Sequence, residues 1–455
     1  MSQAHLTDLP VPSGSNEEAF ALDRAHVFHS WSAQGALQPK VFASGSGSHV
    51  WDFEGHSYLD FSSQLVNTNI GHQHPAVVAA IAEQASVQAT LAPQHASLVR
   101  GRAAAALLAH APERHNKIFF TNGGADAAEN AIRMARIHSG RHKVLSFYRS
   151  YHGNTGAAIT ATGDPRRWPN EYSHGHVHFF GPYLYRSSFW AQTEEEECDR
   201  ALEHLEQVIT FEGPQTVAAL LIETVVGTAG VLVPPPGYLA GVRALCDKYG
   251  IVYIADEVMA GFGRTGRWLA IDHWGVDPDL IIFAKGSNSG YVPLGGVMIS
   301  DEIAATFDER VFPGGLTYSG HPLACASALA TVTAMADEGI VEHADQIGAE
   351  VLGPGLRELA ERHPVVGEVR GLGVFWALDL VADRTTREPL APYGGSSPAM
   401  AALTKACLDR GLLPFVNFNR LHVVPPCVIT EDDARQGLAV LDEALSEADG
   451  FYTGA

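Results

Sequence analysis

Short apolar runs alternate with amphipathic segments through the middle of the chain. Between these runs, apolar residues recur at helical spacing in segments 125–138, 202–210 and Tyr238–Tyr249. The strand-like runs, rich in β-branched and aromatic residues, cover 117–121, 143–148, 218–223, 251–256, 280–285 and 295–300. This alternation predicts an α/β domain whose mostly parallel sheet is covered by helices on both faces.

The pattern changes near residue 330. Long amphipathic helices and paired strands follow, with predicted segments at 322–338, 344–362, 366–381, 399–410, 412–424 and 432–448. At the other end, residues 23–31 predict a short helix and residues 49–61 a hairpin. We therefore predict a large domain at 75–330 and a smaller α+β domain at 331–455, which the N-terminal segment 1–74 joins.

Composition limits the class of protein. The chain has 455 residues, 46% of them hydrophobic, and a formal net charge of −21. Such a charge opposes binding to nucleic acids and to anionic membranes. The five cysteines are scattered, which is typical of a reducing compartment. The N-terminus shows no apolar leader. No uncharged apolar run approaches the length of about 18 residues that a membrane span needs. We expect a cytoplasmic protein without a nucleic-acid or membrane partner.

Three strand-like runs end on ionisable side chains, namely Glu223, Asp256 and Lys285. The carboxyl ends of parallel strands share one edge of a sheet, where α/β proteins bind ligands. A desolvated lysine can form a Schiff base, and a fixed carboxylate can hold a proton on a pyridine nitrogen. The pattern indicates a catalytic site in which Lys285 and Asp256 bind a pyridinium ring. The alternative is that each carboxylate only caps the following helix.

Two loops at the same predicted edge could complete such a site. Gly123, Gly124 and Ala125 join a strand to a helix, and a glycine-rich helix N-terminus favours phosphate. Tyr151 follows the next strand and could stack on a planar ring. A tight turn without ligand and an ordinary surface aromatic remain the alternatives for these two loops.

Two other motifs are interpreted as structural. Residues 261–266 match G-x-G-x-x-G but lack the strand and helix context of a dinucleotide site. The histidines of residues 174–178 have no carboxylate or cysteine at metal-ligand spacing, so we predict a solvated loop and no metal site.

Eight segments, in order along the chain, carry a family resemblance: FTNGGADAAENAIRMAR, SYHGNTG, ETVVGTAGVLVPPPGYL, YIADEVMAGFGRTG, PDLIIFAKG, GGVMIS, TYSGHPLACA and GLGVFWALDL. They resemble the class III (ω-amino acid) aminotransferases of pyridoxal-phosphate fold type I. The resemblance implies Lys285 as the lysine that binds pyridoxal 5'-phosphate and moves the substrate proton. It also implies a role in cofactor binding for Gly123, Gly124, Ala125, Tyr151, Glu223, Asp256 and Val258.

The same resemblance implies a homodimer, or a dimer of dimers, in which Thr317 reaches the phosphate of the partner subunit. It further implies an amine donor and a 2-oxo acid acceptor that react in turn by a ping-pong mechanism. The branch that acts on taurine, β-alanine or similar short ω-amino acids is the nearest in type. A lyase that eliminates phosphate, or a racemase, would use the same lysine and carboxylate. A non-enzymatic binding protein is disfavoured because both residues are present.

The substrate side departs from the usual pattern of relatives. Asn154 and Phe415 stand at two positions where relatives place an arginine that binds a carboxylate. Arg420 is the nearest replacement, and we predict that it binds the carboxylate of the acceptor. The alternative is that Arg420 is an exposed arginine in a strand turn. Val66 and Met259 are further predicted substrate contacts.

Overall fold

The computed structural model describes residues 9–454, which contain sixteen strands and fourteen α-helices. The strands are β1 (Ser44–Ser46), β2 (His49–Trp51), β3 (Ser57–Asp60), β4 (His115–Thr121), β5 (Lys143–Phe147), β6 (His176–Phe179), β7 (Val217–Glu223), β8 (Val252–Asp256), β9 (Leu280–Phe283), β10 (Gly295–Ser300), β11 (Val366–Leu372), β12 (Phe375–Asp383), β13 (Glu388–Pro389), β14 (Leu412–Leu413), β15 (Phe415–Asn417) and β16 (Arg420–Val423). The helices are α1 (Asn16–His26), α2 (Ser63–Val66), α3 (Pro75–Val87), α4 (Leu98–Leu108), α5 (Gly124–Ser139), α6 (Gly156–Ala161), α7 (Glu194–Glu212), α8 (Tyr238–Tyr249), α9 (Asp301–Ala305), α10 (Pro322–Asp337), α11 (Ile340–Ile347), α12 (Gly353–Arg362), α13 (Pro398–Asp409) and α14 (Glu431–Asp449).

The central element is a seven-stranded sheet in the order β4-β10-β9-β8-β7-β5-β6. Strands β6, β5, β7, β8 and β9 pair in parallel, whereas β10 is antiparallel to both β4 and β9. Every residue of β7, β8 and β9 is buried. Such continuous burial explains why these strands, apart from the terminal Glu223 and Asp256, are rich in apolar residues instead of alternating apolar and polar ones. The prediction of a mostly parallel α/β sheet is confirmed.

Helix α5 shows how the sequence covers this sheet. Its buried face consists largely of alanines, including Ala128, Ala131 and Ala135, which let the helix lie close to the strands. The helix ends at Gly140, which adopts the left-handed conformation with φ of 70°. Glycine has no Cβ to disfavour this conformation, and the turn returns the chain to β5.

Two smaller sheets combine the ends of the chain. In one, β14 pairs in parallel with β3, so Leu412 lies opposite Leu59. In the other, the order is β11-β12-β16-β15, and Asp379 lies opposite Arg420. The N- and C-terminal segments therefore share a sheet, while the domain boundaries near residues 75 and 330 stay a prediction.

Two local predictions were wrong. The first helix covers Asn16–His26 instead of 23–31, because the Ser15 side chain caps it by accepting the N–H of Glu18. The predicted histidine-rich loop contains β6, whose histidines alternate with Val177 and Phe179 along an edge strand. The acidic run Glu194–Glu197 begins α7, and the Thr193 side chain caps this helix by accepting the N–H of Glu196.

No single helix between residues 9 and 454 is both long and apolar enough to cross a membrane. Only the bent pair of Pro322–Asp337 with Ile340–Arg362 meets the two criteria together, by length and composition.

Candidate active site

The carboxyl edge of the central sheet brings three ionisable side chains together. Glu223 and Asp256 end neighbouring strands and lie opposite one another in the register. They are only 4% and 3% exposed. Lys285 follows β9, the next strand, after a single residue. The sequence prediction that these three residues share one edge is thus matched by the sheet order.

Lys285 occupies a strained backbone position. Its φ is +44°, a value that residues other than glycine adopt rarely, and it begins the 3₁₀ turn Lys285–Ser287. Burial lowers the pKa of its ammonium group to about 8, although the negative charges of Glu223 and Asp256 act to raise it. An appreciable fraction of the amine is therefore neutral, and thus nucleophilic, near neutral pH.

Asp256 is held by two hydrogen bonds. Its Oδ2 lies 2.7 Å from Nδ1 of His152, and its Oδ1 accepts the N–H of Val258 at 3.0 Å. His152 is itself buried, and its backbone N–H donates to Thr162 Oγ1 at 3.0 Å. These contacts fix the orientation of the carboxylate. The sequence motif contained His152, but only the folded chain shows its contact with Asp256.

Glu223 ties two loops to the sheet edge. Its carboxylate accepts the N–H of Tyr151 at 2.9 Å and the N–H of Gly227 at 2.8 Å. Burial, and then the charge of Asp256, raise the pKa of Glu223 to about 7. Glu223 therefore positions the Tyr151 loop and carries a charge that changes near neutral pH.

An arginine that sequence reasoning missed covers Tyr151. The Cζ atom of Arg166 lies 3.5 Å from the centre of the Tyr151 ring. The exposed ring of Trp31 lies edge-on to the Tyr151 ring, with 6.4 Å between the ring centres. Asp164 binds Nε and Nη2 of Arg166, and Nη2 also lies 3.4 Å from Thr228 Oγ1. Within residues 9–454, Nη1 of this fixed guanidinium has no hydrogen-bond partner, so it is available beside an aromatic ring.

The start of α5 has the features of a phosphate site. Its N-cap is Gly123, so no side chain caps the free N–H groups of the first turn. A Cβ on Gly123 would meet nothing within 4 Å, whereas one on Gly124 would lie 3.1 Å from the methyl groups of Val258. At Gly153, with φ of +135°, a Cβ would lie 2.5 Å from that of Ala125. The open space and the free N–H donors fit the phosphate of pyridoxal phosphate.

Three of the four predicted substrate residues lie close together. Val66 and Met259 belong to one buried apolar cluster, against which Phe415 packs. Val66 has a φ of +58°, a rare value for a β-branched residue that is typical of constrained functional segments. The ring of Phe415 stacks on His422 with a centroid distance of 4.5 Å. These contacts make an apolar wall, and its contact with substrate stays a prediction.

Arg420 and Thr317 lie outside the apolar cluster of Val66, Met259 and Phe415. Arg420 is 5% exposed and lines a cavity on whose surface neither Lys285 nor Asp256 lies. Thr317 is exposed in the loop before α10. The predicted roles of Arg420 toward the acceptor and of Thr317 toward a partner subunit stay predictions.

Comparison with known proteins identifies the family. Residues 32–445 match the class-III aminotransferase family over most of the chain. The chain belongs to the class-III aminotransferases. Enzymes of this class use pyridoxal phosphate, so this aminotransferase is pyridoxal-phosphate dependent and transfers an amino group from an amine donor to a 2-oxo acid. The fold-type and cofactor expectations are thereby confirmed.

Several relatives of this aminotransferase are similar over nearly their full length. A taurine–pyruvate aminotransferase of Rhodobacter capsulatus is 33% identical, and the match covers 96% of this chain and 98% of the relative. The solved structure of a taurine:2-oxoglutarate aminotransferase from Bifidobacterium kashiwanohense, in complex with PLP and glutamate, is 41% identical with a TM-score of 0.93 and coverage of 97% and 100%. An (S)-enantioselective ω-transaminase from Thermomicrobium roseum is 38% identical with a TM-score of 0.90 and coverage of 96% and 100%.

Proposed function

We propose that Lys285 and Asp256 are the catalytic residues of this aminotransferase. The observation that carries the proposal is the convergence of Lys285, Asp256 and Glu223 at one sheet edge. When bound, pyridoxal phosphate supplies an electron sink for the carbanion charge that develops on the substrate. The start of α5 would hold its phosphate, and Tyr151 and Val258 would lie on the two faces of its ring.

In this proposal each side chain has a separate task. Nζ of Lys285 binds the cofactor and, once released, removes the proton from the carbon atom that bears the substrate nitrogen. Asp256 keeps a proton on the pyridine nitrogen, and His152 keeps Asp256 in place. Glu223 orients the Tyr151 loop through the N–H of Tyr151.

We infer that the donor is a short ω-amino acid whose acid group binds Arg166. The guanidinium lies over the Tyr151 ring, and Asp164 holds it there with Nη1 still free to donate. A sulfonate or carboxylate accepts from such a group through a charge-assisted hydrogen bond. Two of the similar proteins described above are named for taurine, which supports this donor class.

The acceptor would use the same cation in the second half of the reaction. Donor and acceptor bind in turn in a ping-pong cycle, so one guanidinium can serve the acid groups of both. Arg166 is favoured over Arg420 for this role because Arg166 contacts Tyr151, whereas Arg420 lines a separate cavity.

Product analysis tests the proposed donor class. The enzyme is supplied with taurine, β-alanine, an uncharged chiral amine or phosphoethanolamine, with pyruvate or 2-oxoglutarate as acceptor. We expect alanine or glutamate to form fastest with taurine or β-alanine. Release of inorganic phosphate from phosphoethanolamine without amino-acid formation would instead identify the alternative lyase, and racemisation of a single substrate would identify a racemase.

We also propose a homodimer with shared active sites, located in the cytoplasm. The loop that carries Thr317 also exposes Val311 and Tyr318, at 86% and 61%, and burying such apolar surface would stabilise a dimer. Light scattering after gel filtration tests the dimer, and fractionation of cells tests the location. Thr317→Ala should weaken cofactor binding without changing the molar mass.

A further inference from the structure

A second cavity lies beside the predicted active site. Its volume is 340 Å³, and its wall combines the segment after β5, the loop 163–168, the loop after β13 and the start of β16. The cavity is not lined by Lys285, Asp256 or Tyr151. The lining residues are Tyr148, Arg149, Gly163, Arg167, Trp168, Phe180, Arg186, Pro389, Ala391, Tyr393, Asn419 and Arg420.

Four of the lining residues are arginines, and only two of them have an acidic partner. Arg186 pairs with Asp379 at 2.7 Å, and Arg167 pairs with Glu171 at 2.8 Å. Arg149 and Arg420 form no ion pair with any carboxylate of residues 9–454; their guanidinium groups instead lie 5.2 Å and 5.7 Å from aromatic ring centres. The cavity therefore carries an uncompensated positive charge in a chain of net charge −21.

Arg420 is the clearest sign of a built site. It is 5% exposed, and its Nε and Nη1 have no hydrogen-bond partner within the described residues. The nearest strand partner, Asp379, already accepts from Arg186, Tyr183 and Asn419. Burial lowers the pKa of Arg420, although the charge of Asp379 acts to raise it, and this reflects the cost of removing the guanidinium from water. An anion in the cavity would remove that cost.

Aromatic side chains complete the wall of the cavity. Tyr148 and Phe180 lie 5.0 Å apart between ring centres, and Trp168 and Tyr393 are 64% and 46% exposed. Exposed aromatic groups gathered around a cavity are typical of a ligand site. They would contact the apolar part of an organic anion while the arginines bind its charged groups.

We propose that this cavity binds a small organic dianion at a site separate from the reacting amine. The two arginines without acidic partners, Arg149 and Arg420, each take one anionic group, and the pair sets the preference for two charges. Carboxylates and phosphates share the required chemistry, since both accept two parallel hydrogen bonds from a guanidinium. The proposal does not depend on the identity of the amine donor.

Calorimetric titration of the cofactor-loaded enzyme tests the site. Malonate represents dicarboxylates and methylenebisphosphonate represents organic phosphate-type anions, and neither can accept an amino group. We expect at least one of them to bind saturably, with affinity about tenfold weaker in both Arg420→Met and Arg149→Met, the size expected for a charge-assisted hydrogen bond. Arg435→Met, which changes an exposed arginine paired with Glu431, is the matched control and should bind as the unchanged enzyme does.

Steady-state inhibition separates this site from acceptor binding. The proposal requires that the anion which binds does not compete with the 2-oxo acid. Competitive inhibition that Arg420→Met relieves would overturn it and return Arg420 to the acceptor role predicted from the sequence. Absence of saturable binding, or equal affinity in all three variants, would also overturn it. Circular dichroism of Arg149→Met and Arg420→Met checks that each variant is folded. If Arg420→Met does not fold, the result for Arg149→Met still decides the test.

Discussion

His152 Nδ1 lies 2.7 Å from Asp256 Oδ2, which joins the loop after β5 to the end of β8 across 104 residues of sequence. Both side chains are buried. The other oxygen of Asp256 is held by the N–H of Val258. A carboxylate gripped on both oxygens cannot rotate freely, so His152 acts as a positioning residue for the proposed partner of the pyridine nitrogen.

Removing this contact should slow the reaction without removing the cofactor. We expect His152→Ala to lower the rate of the first half-reaction by about 10–100-fold, the usual effect of losing a residue that orients an active-site ligand. His152→Asn places an amide near the Nδ1 position and should recover much of the rate. Stopped-flow measurement at saturating donor checks both variants. Equal rates in His152→Ala and the unchanged enzyme would leave His152 with a structural role only.

Asp256→Asn tests the electron-sink role directly. An amide cannot keep the pyridine nitrogen protonated, so proton removal from the substrate should slow sharply while the cofactor stays bound. If Asp256 merely capped a helix, the variant would lose about 1 kcal/mol of stability and little rate. The rate constant of the first half-reaction distinguishes the two, and thermal denaturation measures the stability.

Local signals explain what could be predicted from the sequence. The bounds of α8, Tyr238–Tyr249, were predicted correctly because prolines precede the helix and Gly250 ends it in a left-handed conformation. The strand ends at Glu223 and Asp256 were equally clear, because an apolar run stops at a charge. β6 was missed because histidines break the apolar pattern of an edge strand.

The contacts that build the site were harder to predict. Arg166 over Tyr151 and His152 against Asp256 depend on how loops fold over the sheet edge, and neither spacing nor residue type encodes that packing. The residue pattern indicated roles for Lys285 and Tyr151, and the family resemblance implied the same roles. It left Arg166 unassigned, since this arginine lies outside the segments that carry the resemblance.

The charge of Glu223 should control the reactivity of Lys285. The amine of Lys285, with a pKa of about 8, is protonated below that pH and neutral above it. The negative charge of Glu223 raises this pKa, so Glu223→Gln should lower it and shift cofactor attachment to lower pH. The rate of pyridoxal-phosphate attachment to the apoenzyme, followed by absorbance across pH, gives the midpoint for each protein. Lys285→Ala is the control and should show no attachment; an unchanged midpoint in Glu223→Gln contradicts the coupling.

Gly123→Ala should weaken cofactor binding and leave the fold intact. Gly123 has an extended backbone, with φ of 172°, and an added Cβ meets no protein atom within 4 Å. Any loss must therefore come from the space in front of α5, where the phosphate is proposed to bind. We expect unchanged thermal stability of the apoenzyme and about tenfold weaker pyridoxal-phosphate binding, equivalent to the net loss of about one hydrogen bond.

Gly101→Ala is the matched control for this variant. Its Cβ also meets nothing within 4 Å, but Gly101 lies within helix α4. This variant should bind the cofactor normally and gain up to about 1 kcal/mol of stability from the better helix propensity of alanine. Equal cofactor affinity in both variants would show that the phosphate does not bind at the start of α5.

Arg166→Met tests whether one cation serves the acid groups of both substrates. Methionine keeps much of the apolar stem that packs near Tyr151 but removes the charge-assisted hydrogen bond, which is worth about 1.5–3 kcal/mol. The KM values for taurine or β-alanine and for the 2-oxo acid should therefore each rise by about tenfold or more. The half-reaction with an uncharged chiral amine should change little, because that donor has no acid group to bind. Arg200→Met alters an exposed arginine paired with Glu196 and should leave every KM unchanged. A rise confined to the donor would leave the acceptor carboxylate to another cation, for which Arg420 is then the remaining candidate.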